Sequence, residues 1–248
     1  MRTVLTMTTS PQRMKHLPGV LDSLFNQIVP PDSVYLNLPV RYRNCESYTI
    51  PDWLNDWEVT VIRPSYDFGP VMKILPVLEV ETDMETLLIT VDDDVRYPPD
   101  TISTLQNASH VNLSSAFGTR GFNFTDNRPH LEPIRGDLVS CHILQGYGAC
   151  AYRRSHFDIE RLRRDIKSQP VAFRFSDDLI LSNHLASMGV NLFTVAISGR
   201  LEHMPWGAED PQSLKYVDGG THRRYEIVRQ WLMKKGEWFA QSLSHIHI

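Results

Sequence analysis

The sequence has few cysteines and no long apolar run, and each absence excludes a class of protein. Its three cysteines, Cys45, Cys141 and Cys150, are odd in number and lack metal-binding spacing. That argues against both a disulfide framework and a zinc site. No apolar run approaches the roughly 20 residues that cross a bilayer, so we expect no transmembrane segment. The first residues, RTVLTMTTS, predict a strand followed by polar residues rather than a signal peptide.

An excess of positive charge is also missing. The chain has 25 basic and 29 acidic residues, which gives a net charge of −4. The overall positive field that nucleic-acid binding usually needs is therefore absent, and we expect no nucleic-acid partner. Because the cysteines fit reduced thiols better than disulfides, we expect the protein in the cytoplasm.

The stretch LLITVDDD, which runs from Leu87 to Asp94, is the most informative part of the chain. Its first five residues form a short apolar run, as in a strand that is buried on both faces of a parallel sheet. Three carboxylates follow at once, and they must leave the core because bare charges are costly to bury. They therefore lie at the carboxyl edge of the sheet, where open α/β folds bind ligands. Repelling carboxylates suit Mg²⁺ or Mn²⁺, although acids after a strand are also common in solvated loops.

Strand and helix patterns alternate over the first hundred residues, which predicts an α/β fold with a mostly parallel sheet flanked by helices. At 248 residues and 42% hydrophobic content, the chain is long enough for one large domain of this kind. The predicted strands are 3–7, 33–38, 59–63 and 87–91, and the predicted helices are 18–27, about 70–80 with a kink at Pro76, and about 97–109.

The second half of the chain has a less regular pattern. Residues 118–137 are polar and carry Pro129 and Pro133, which suits a long functional loop over a site. Ser176 is predicted to cap a helix that begins with Asp177 and Asp178. The other predicted strands are 114–117, 139–144, 147–152 and 191–197, the other helices are 155–166 and 221–235, and residues 203–220 are predicted to be irregular.

Five motifs in order give the chain a resemblance to a known family: TMTTSPQRMKHLPGVLDSL, DFGPVMK, VDDDVRYPP, GYGACAYRRSHFD and SDDLILSNHLASMG. Together they resemble nucleotide-sugar glycosyltransferases of the GT-A fold, similar to the family 2-like enzymes of bacteria and of large algal viruses (chloroviruses). The resemblance covers about residues 2–203. It implies a hexosyltransferase-type enzyme with a Rossmann-like sheet and an Asp-x-Asp motif at a strand's carboxyl end. If the protein is viral, its location is the host cytoplasm.

The resemblance also implies an organisation of the chain and its substrates. We expect one domain over residues 1–248, with a nucleotide-binding half to about residue 110 and an acceptor-binding half from about 111. The donor is expected to be a UDP-sugar, with GDP or dTDP as open alternatives, and the acceptor a hydroxyl of a glycan or glycoconjugate. Because the spans and the distal Gln and Trp motif of the polysaccharide synthases are missing, we expect addition of a single sugar.

On the donor side, the resemblance assigns the nucleotide-sugar to Thr8, Thr9, Arg13, Asp67, Lys73, Asp92 and Asp93. The acids match the family's Asp-x-Asp, with Asp94 as the first metal ligand, Asp92 beside it, and His203 completing the Mn²⁺ or Mg²⁺ site. If strand geometry persists, alternation places Asp92 and Asp94 on one side and Asp93 on the other.

On the acceptor side, the resemblance makes Asp178, or less favoured Asp177, the general base. Acids in a first helical turn also complement the helix dipole, which explains them without any catalytic role. The same helix end is expected to lower the pKa of the carboxylate and keep it ionised. A base opposite the leaving group implies inversion. The residues assigned to the sugar or acceptor are Gly146, Tyr147, Gly148 and Trp206.

Two other functions remain open at this point. A sugar-phosphate nucleotidylyltransferase shares the sheet and the acids, but it needs a Gly-rich basic loop after the first strand. The corresponding TTSPQRMK has no glycine, which argues against it. A sugar-nucleotide or glycan-binding module without activity is the second alternative, and the intact acids at both motifs argue against that one.

Overall fold

The computed structural model of the chain describes residues 1–43, 46–125, 128–169, 175–206 and 221–239. Its strands are β1 (Thr3–Thr8), β2 (Ser33–Asn37), β3 (Arg41–Tyr42), β4 (Glu46–Ser47), β5 (Val59–Ile62), β6 (Leu87–Thr90), β7 (Val95–Arg96), β8 (Ser115–Gly118), β9 (Gly121–Thr125), β10 (Arg128–Ile134), β11 (Val139–Ser140), β12 (Ile143–Leu144), β13 (Cys150–Arg153), β14 (Asn191–Thr194) and β15 (Glu202–His203). Its helices are α1 (Leu17–Phe25), α2 (Leu75–Val80), α3 (Thr101–Val111), α4 (Ile159–Ser168), α5 (Asp177–Ser187) and α6 (Thr221–Lys235), with short 3-10 turns between some of them.

Eight strands form the central sheet, in the order β11-β14-β8-β13-β6-β1-β2-β5. The strands β5, β2, β1 and β6 are parallel, and β8 and β14 are parallel to each other. Strand β13 runs antiparallel between β6 and β8, and β11 runs antiparallel on the edge beside β14. The sheet is therefore mostly parallel, and the carboxyl ends of β1 and β6 meet at the same edge.

Side chains alternate across β1 and cover both faces of the sheet. Leu5 and Met7 join one core cluster with α1 and α3, whereas Val4 joins a second cluster with α2, α4 and α5. Helices therefore cover both faces, as the pattern of alternating strands and helices predicts. The run Leu87–Thr90 is buried throughout, as expected for a strand with apolar neighbours on both faces.

The predicted loop over 118–137 is wrong, because this segment contains the hairpin of β9 and β10. Phe122 and Phe124 alternate on β9 and are both buried, which is the period of a strand. The prolines mislead because β10 pairs with β9 alone within its sheet. Proline is tolerated on such an edge strand, where its missing N–H breaks no central ladder.

Other boundaries also differ from the sequence prediction. Pro76 lies at the start of α2, after a separate 3-10 turn at Gly69–Lys73, and does not kink a longer helix. Ser176 precedes α5, but its hydroxyl makes no capping hydrogen bond. The predicted strands 139–144 and 147–152 are divided into β11, β12 and β13, with a 3-10 turn at Gly146–Gly148.

The end of the chain agrees with prediction where it is described. Helix α6 spans Thr221–Lys235, as the sequence indicates. In the predicted irregular segment 203–220, β15 pairs antiparallel with β7, and residues 207–220 lie outside the described residues. Cys45 also lies outside them. Among the residues that the structure describes, no helix is both long and apolar enough to span a membrane.

Candidate active site

The three aspartates follow β6, but they do not alternate as strand residues. The strand ends at Thr90 and the backbone turns at Asp93. Asp92 accepts a hydrogen bond from Lys73, with 2.6 Å between Oδ1 and Nζ. Asp93 and Asp94 instead share Arg13, whose Nη1 lies 2.9 Å from Asp93 Oδ1 and 3.4 Å from Asp94 Oδ2. The condition for placing Asp92 and Asp94 on one side by strand alternation is therefore not met, because strand geometry has already ended.

Asp93 and Asp94 carry more negative charge than the single Arg13 can neutralise. Thr9 adds a hydrogen bond from Oγ1 to Asp93 Oδ2, at 2.5 Å. Burial nevertheless raises the pKa of Asp93, although Arg13 and Thr9 oppose it. Burial, together with the charges of Asp93 and Asp92, raises the pKa of Asp94 to about 7. A further cation beside Asp94 would therefore stabilise the ionised form of its carboxylate.

Lys73 joins this turn to the second acidic motif. Lys73 ends the 3-10 turn Gly69–Lys73 and is 6% exposed. Its ammonium lies 3.0 Å from Asp177 Oδ2 and also contacts Asp92. Burial alone would lower the pKa of Lys73, but the charges of Asp177, Asp92 and Asp178 outweigh it and raise the pKa well above the ordinary value. The lysine therefore stays charged between the two motifs.

Asp178 accepts a hydrogen bond at each of its two carboxylate oxygens. The backbone N–H of Gly146 donates to its Oδ1 at 2.9 Å, and the hydroxyl of Tyr225 donates to its Oδ2 at 2.7 Å. Burial and the charge of Asp177 raise its pKa to about 7, although Lys73 and both donors oppose the rise. The expectation that the helix end keeps this pKa low is wrong, because burial and a neighbouring like charge outweigh the dipole.

The turn Gly146–Gly148 lies directly against these groups. A Cβ on Gly146 would lie 2.8 Å from Lys73 Nζ and 2.9 Å from Asp178 Oδ1. A Cβ on Gly148 would lie 2.7 Å from Thr119 Oγ1. A side chain at either position would therefore displace these neighbouring groups, which explains glycine here without any bound sugar. Tyr97 ties the turn to the aspartates: its hydroxyl accepts from the N–H of Asp92 at 2.8 Å and donates to the carbonyl of Tyr147 at 3.0 Å.

A segment from the second half of the chain lies beside the aspartates. The N–H of Met204 donates to the carbonyl of Asp94 at 2.8 Å. The exposed His203 packs its ring 5.3 Å from that of Tyr147. Trp206 stacks on His16 at 4.6 Å, and the guanidinium of Arg13 lies 5.5 Å from its ring. Predicted metal, sugar and nucleotide residues are thus brought close together along this segment.

Two predicted nucleotide residues are engaged elsewhere. Thr8 donates its hydroxyl to the carbonyl of Asn37 at 2.7 Å, which ties β1 to β2. Asp67 accepts from the N–H groups of Arg43 and Gly69, at 2.6 and 2.8 Å, and so fixes the turn before Lys73. Both contacts are structural, and in the described residues neither side chain bonds to the acids.

The site also contains residues that the sequence analysis did not single out. Tyr97 lies in the motif VDDDVRYPP and could have been noticed as a polar side chain next to the acids. Tyr225 lies 47 positions from Asp178, in a helix with no motif of its own. No local pattern links such a pair, because only packing of α6 brings them together.

Comparisons with known proteins support the fold. No protein-family model matches the chain, and no curated protein matches its sequence. The structure of the mannosyltransferase PcManGT from Pyrobaculum calidifontis in complex with GDP-Man and Mn²⁺ matches with a TM-score of 0.50 and 16% identity, over 78% of this chain and 54% of that chain. S. aureus TarS 1-349 in complex with UDP-GlcNAc matches with a TM-score of 0.57 and 12% identity, over 94% of this chain and 66% of that chain.

The chain has the same α/β fold as these two structures. The mostly parallel eight-stranded sheet with helices on both faces agrees with these matches, so the predicted fold class is confirmed. At identities this low, the likeness establishes the fold alone. The chain spans 43% of a longer S. aureus TarS structure, which it matches with a TM-score of 0.56 and 11% identity over 94% of its own length. The chain therefore covers only part of the length of these proteins.

Proposed function

We propose that the protein is a metal-dependent glycosyltransferase that moves a sugar from a nucleotide-sugar to a hydroxyl of a glycan or glycoconjugate. One observation carries the proposal. In this fold, two acidic motifs 85 positions apart are joined at the carboxyl edge of the sheet by the buried Lys73, which contacts Asp92 and Asp177. One acid cluster suits a donor with its cation, and the other suits a proton acceptor.

The donor side lies between the aspartate turn and the segment of Trp206. Arg13 and Thr9 hold Asp93 in place, and Trp206, stacked on His16, offers an aromatic surface next to them. We assign the nucleotide to this region, with a UDP-sugar as the favoured donor. PcManGT has GDP-Man bound and TarS has UDP-GlcNAc bound, which supports a nucleotide-sugar as donor without choosing the nucleotide.

The types of donor atom near Asp94 suit Mn²⁺ or Mg²⁺. Asp92 and Asp94 would supply carboxylate oxygens and His203 an imidazole nitrogen, the ligand types that such ions accept. The raised pKa of Asp94, caused by burial and its acidic neighbours, marks a place where a cation relieves repulsion. As the side chains stand, no three acidic, histidine or cysteine groups in the described residues are gathered tightly enough to hold a metal. A bound ion supplies charge neutralisation at the leaving diphosphate.

Asp178 is assigned as the general base. The proton of the acceptor hydroxyl passes to a carboxylate oxygen of Asp178, while the hydroxyl oxygen forms the bond to the anomeric carbon. The bond between that carbon and the phosphate oxygen breaks, and its electron pair leaves with the nucleoside diphosphate. Attack from the face opposite the leaving group inverts the anomeric centre. Lys73 contacts Asp177 and Asp92, and we infer that it holds both acids in place during this reaction.

The proposal extends to the organisation of the chain. We propose one domain, since β13 from the second half lies between β6 and β8 in the same sheet. Residues up to about 110 bind mainly the nucleotide, and those from about 111 the acceptor. We propose that the enzyme adds a single sugar. We also propose that it works in the cytoplasm, because Cys141 and Cys150 are both free and buried thiols.

Calorimetric binding of UDP, GDP and dTDP, each with and without Mn²⁺, tests the proposal. We expect one nucleotide to bind tightly and only with the metal. Depending on which nucleotide binds, UDP-sugars, GDP-sugars or dTDP-sugars are then assayed for metal-dependent release of the nucleoside diphosphate. The proposal is wrong if no nucleotide binds under any metal condition. It is also wrong if a nucleotide binds but none of its nucleotide-sugars is cleaved.

A further inference from the structure

Neutral donors from two distant segments hold the two oxygens of Asp178. The N–H of Gly146 occupies Oδ1 at 2.9 Å, and the hydroxyl of Tyr225 occupies Oδ2 at 2.7 Å. A carboxylate held at both oxygens is restricted in its rotation about the Cβ–Cγ bond. Its remaining lone pairs are therefore directed consistently, which is what transfer of a proton to a positioned acceptor requires.

Tyr225 is itself held firmly by the packing of α6. It is 4% exposed, and its ring stacks on Phe122 of β9 with 5.3 Å between centroids. Phe122 in turn makes an edge contact with Phe124. Val228 of α6 and Leu179, which follows Asp178 on α5, belong to the same apolar cluster. The hydroxyl is thus presented to Asp178 from a rigid support.

We propose that Tyr225 is a positioning residue for the base, and that its hydroxyl keeps the Asp178 carboxylate in the orientation that accepts the proton. This inference rests on the proposed function, because it takes Asp178 as the base. It makes α6 part of the catalytic apparatus, although α6 lies outside all five motifs of the chain. A tyrosine that only fills the core would need its ring and not its hydroxyl, and this difference can be measured.

The electrostatic surroundings of Asp178 set the direction of the expected effect. The titratable groups that interact with it are Asp177 on α5, Lys73 at the end of the turn Gly69–Lys73, Tyr225 on α6, and Cys150 and Tyr152 on β13, and Arg224 on α6 acts on Tyr225. The Tyr225 hydroxyl opposes the rise of the Asp178 pKa, because it donates to the ionised form. Removing the hydroxyl should therefore raise that pKa further.

Tyr225→Phe removes the hydroxyl and keeps the ring on Phe122. Tyr35→Phe is the matched control, since it removes a comparable hydrogen bond from a tyrosine to Glu81 (2.9 Å) away from the site. Carbon-13 NMR of labelled aspartate carboxyls, with Asp178→Asn to assign the signal, follows the Asp178 titration without any need for activity. We expect the midpoint to rise by about one to two pH units in Tyr225→Phe and to stay unchanged in Tyr35→Phe.

Turnover gives the second readout. With the donor that the wild type cleaves, we expect the pH profile of Tyr225→Phe to move in the same alkaline direction, with a loss of about tenfold or more at pH 7 and unchanged nucleotide affinity. An unmoved Asp178 titration in Tyr225→Phe overturns the positioning role, and so does a loss of activity with an unmoved pH profile. The proposed function fails separately, through absence of nucleotide binding or sugar release in the wild type.

Discussion

Lys73 and Asp177 form a buried ion pair, with 3.0 Å between Nζ and Oδ2, and this pair joins the two acidic motifs of the chain. The same ammonium donates to Asp92 at 2.6 Å. Because taking an ammonium out of water is costly, the lysine is stable there only through the carboxylates around it. Its contacts make the acids after β6 and the acids that open α5 parts of one electrostatic unit.

Replacing this cation should therefore weaken the fold as well as the reaction. Lys73→Met leaves the buried Asp177 and the partly exposed Asp92 without this counter-charge, and loss of one partner of a buried pair typically costs about 3–5 kcal/mol. Urea unfolding measures the free energy of unfolding at pH 8 and pH 5. We expect the loss to be larger at pH 8, since Asp178, whose pKa burial and Asp177 raise to about 7, is protonated at pH 5 and then adds no negative charge to the cluster.

The control for this change is Lys167→Met, which removes an exposed lysine from the last turn of α4. It should change the free energy of unfolding by less than about 0.5 kcal/mol. A Lys73→Met protein as stable as the control at pH 8 would contradict the view that the lysine joins the two motifs.

The raised pKa of Asp178 predicts a pH dependence for the reaction. A base must be ionised to accept a proton, and burial together with Asp177 raises this pKa from 3.8 to about 7. Activity should accordingly fall as pH decreases through 7, approaching tenfold per pH unit below it. Initial rates of sugar release between pH 5.5 and 8.5 measure the profile. Asp178→Asn should abolish transfer and spare nucleotide binding; near-normal transfer in this variant would refute the assignment.

Asp94 predicts a separate pH dependence, in metal binding. Its pKa of about 7, raised by burial and by Asp93 and Asp92, means that a proton and a divalent cation compete for the carboxylate. Calorimetry should show that Mn²⁺ with the bound nucleotide binds about tenfold more weakly at pH 6 than at pH 8. Asp94→Asn should remove the effect of metal, whereas Asp56→Asn, at an exposed position, should leave it intact. Equal affinities at both pH values in the wild type would exclude Asp94 as a ligand.

Gly146 tests how closely the backbone must approach the base. In Gly146→Ala the new Cβ would lie within 3 Å of both Lys73 Nζ and Asp178 Oδ1, so one or both must shift. A displacement of about 1 Å at reacting groups can reduce a rate about a hundredfold. We expect a loss of that order in sugar release, with nucleotide affinity retained.

Gly19→Ala is the matched control, because the nearest atom to its Cβ is 3.4 Å away and the residue lies within α1. That change should leave sugar release unaltered and slightly stabilise the helix. If Gly146→Ala also kept wild-type release, the close contact in the site would have no catalytic significance.

The sequence by itself determined the sheet and its acidic edge. The buried run Leu87–Thr90 and the acids after it are a local pattern, and the helix predicted at Thr221–Lys235 is observed as α6. Such patterns report how an element is buried, and they depend on residues that are neighbours in the chain. They place Asp92 and Asp178 at element ends, and the structure has them there.

Only the tertiary structure decided what these acids contact. The pairing of Lys73 with Asp177 and the bond from Tyr225 to Asp178 join segments far apart in the chain, so no local period encodes them. For the same reason, the pKa of Asp178 is raised, whereas the sequence led us to expect a lowered one. A helix end is visible in the sequence, whereas burial and the neighbouring charges come from packing. The hairpin of β9 and β10 was missed because prolines in a sequence indicate a loop. Only the structure shows that β10 is an edge strand, where proline is tolerated.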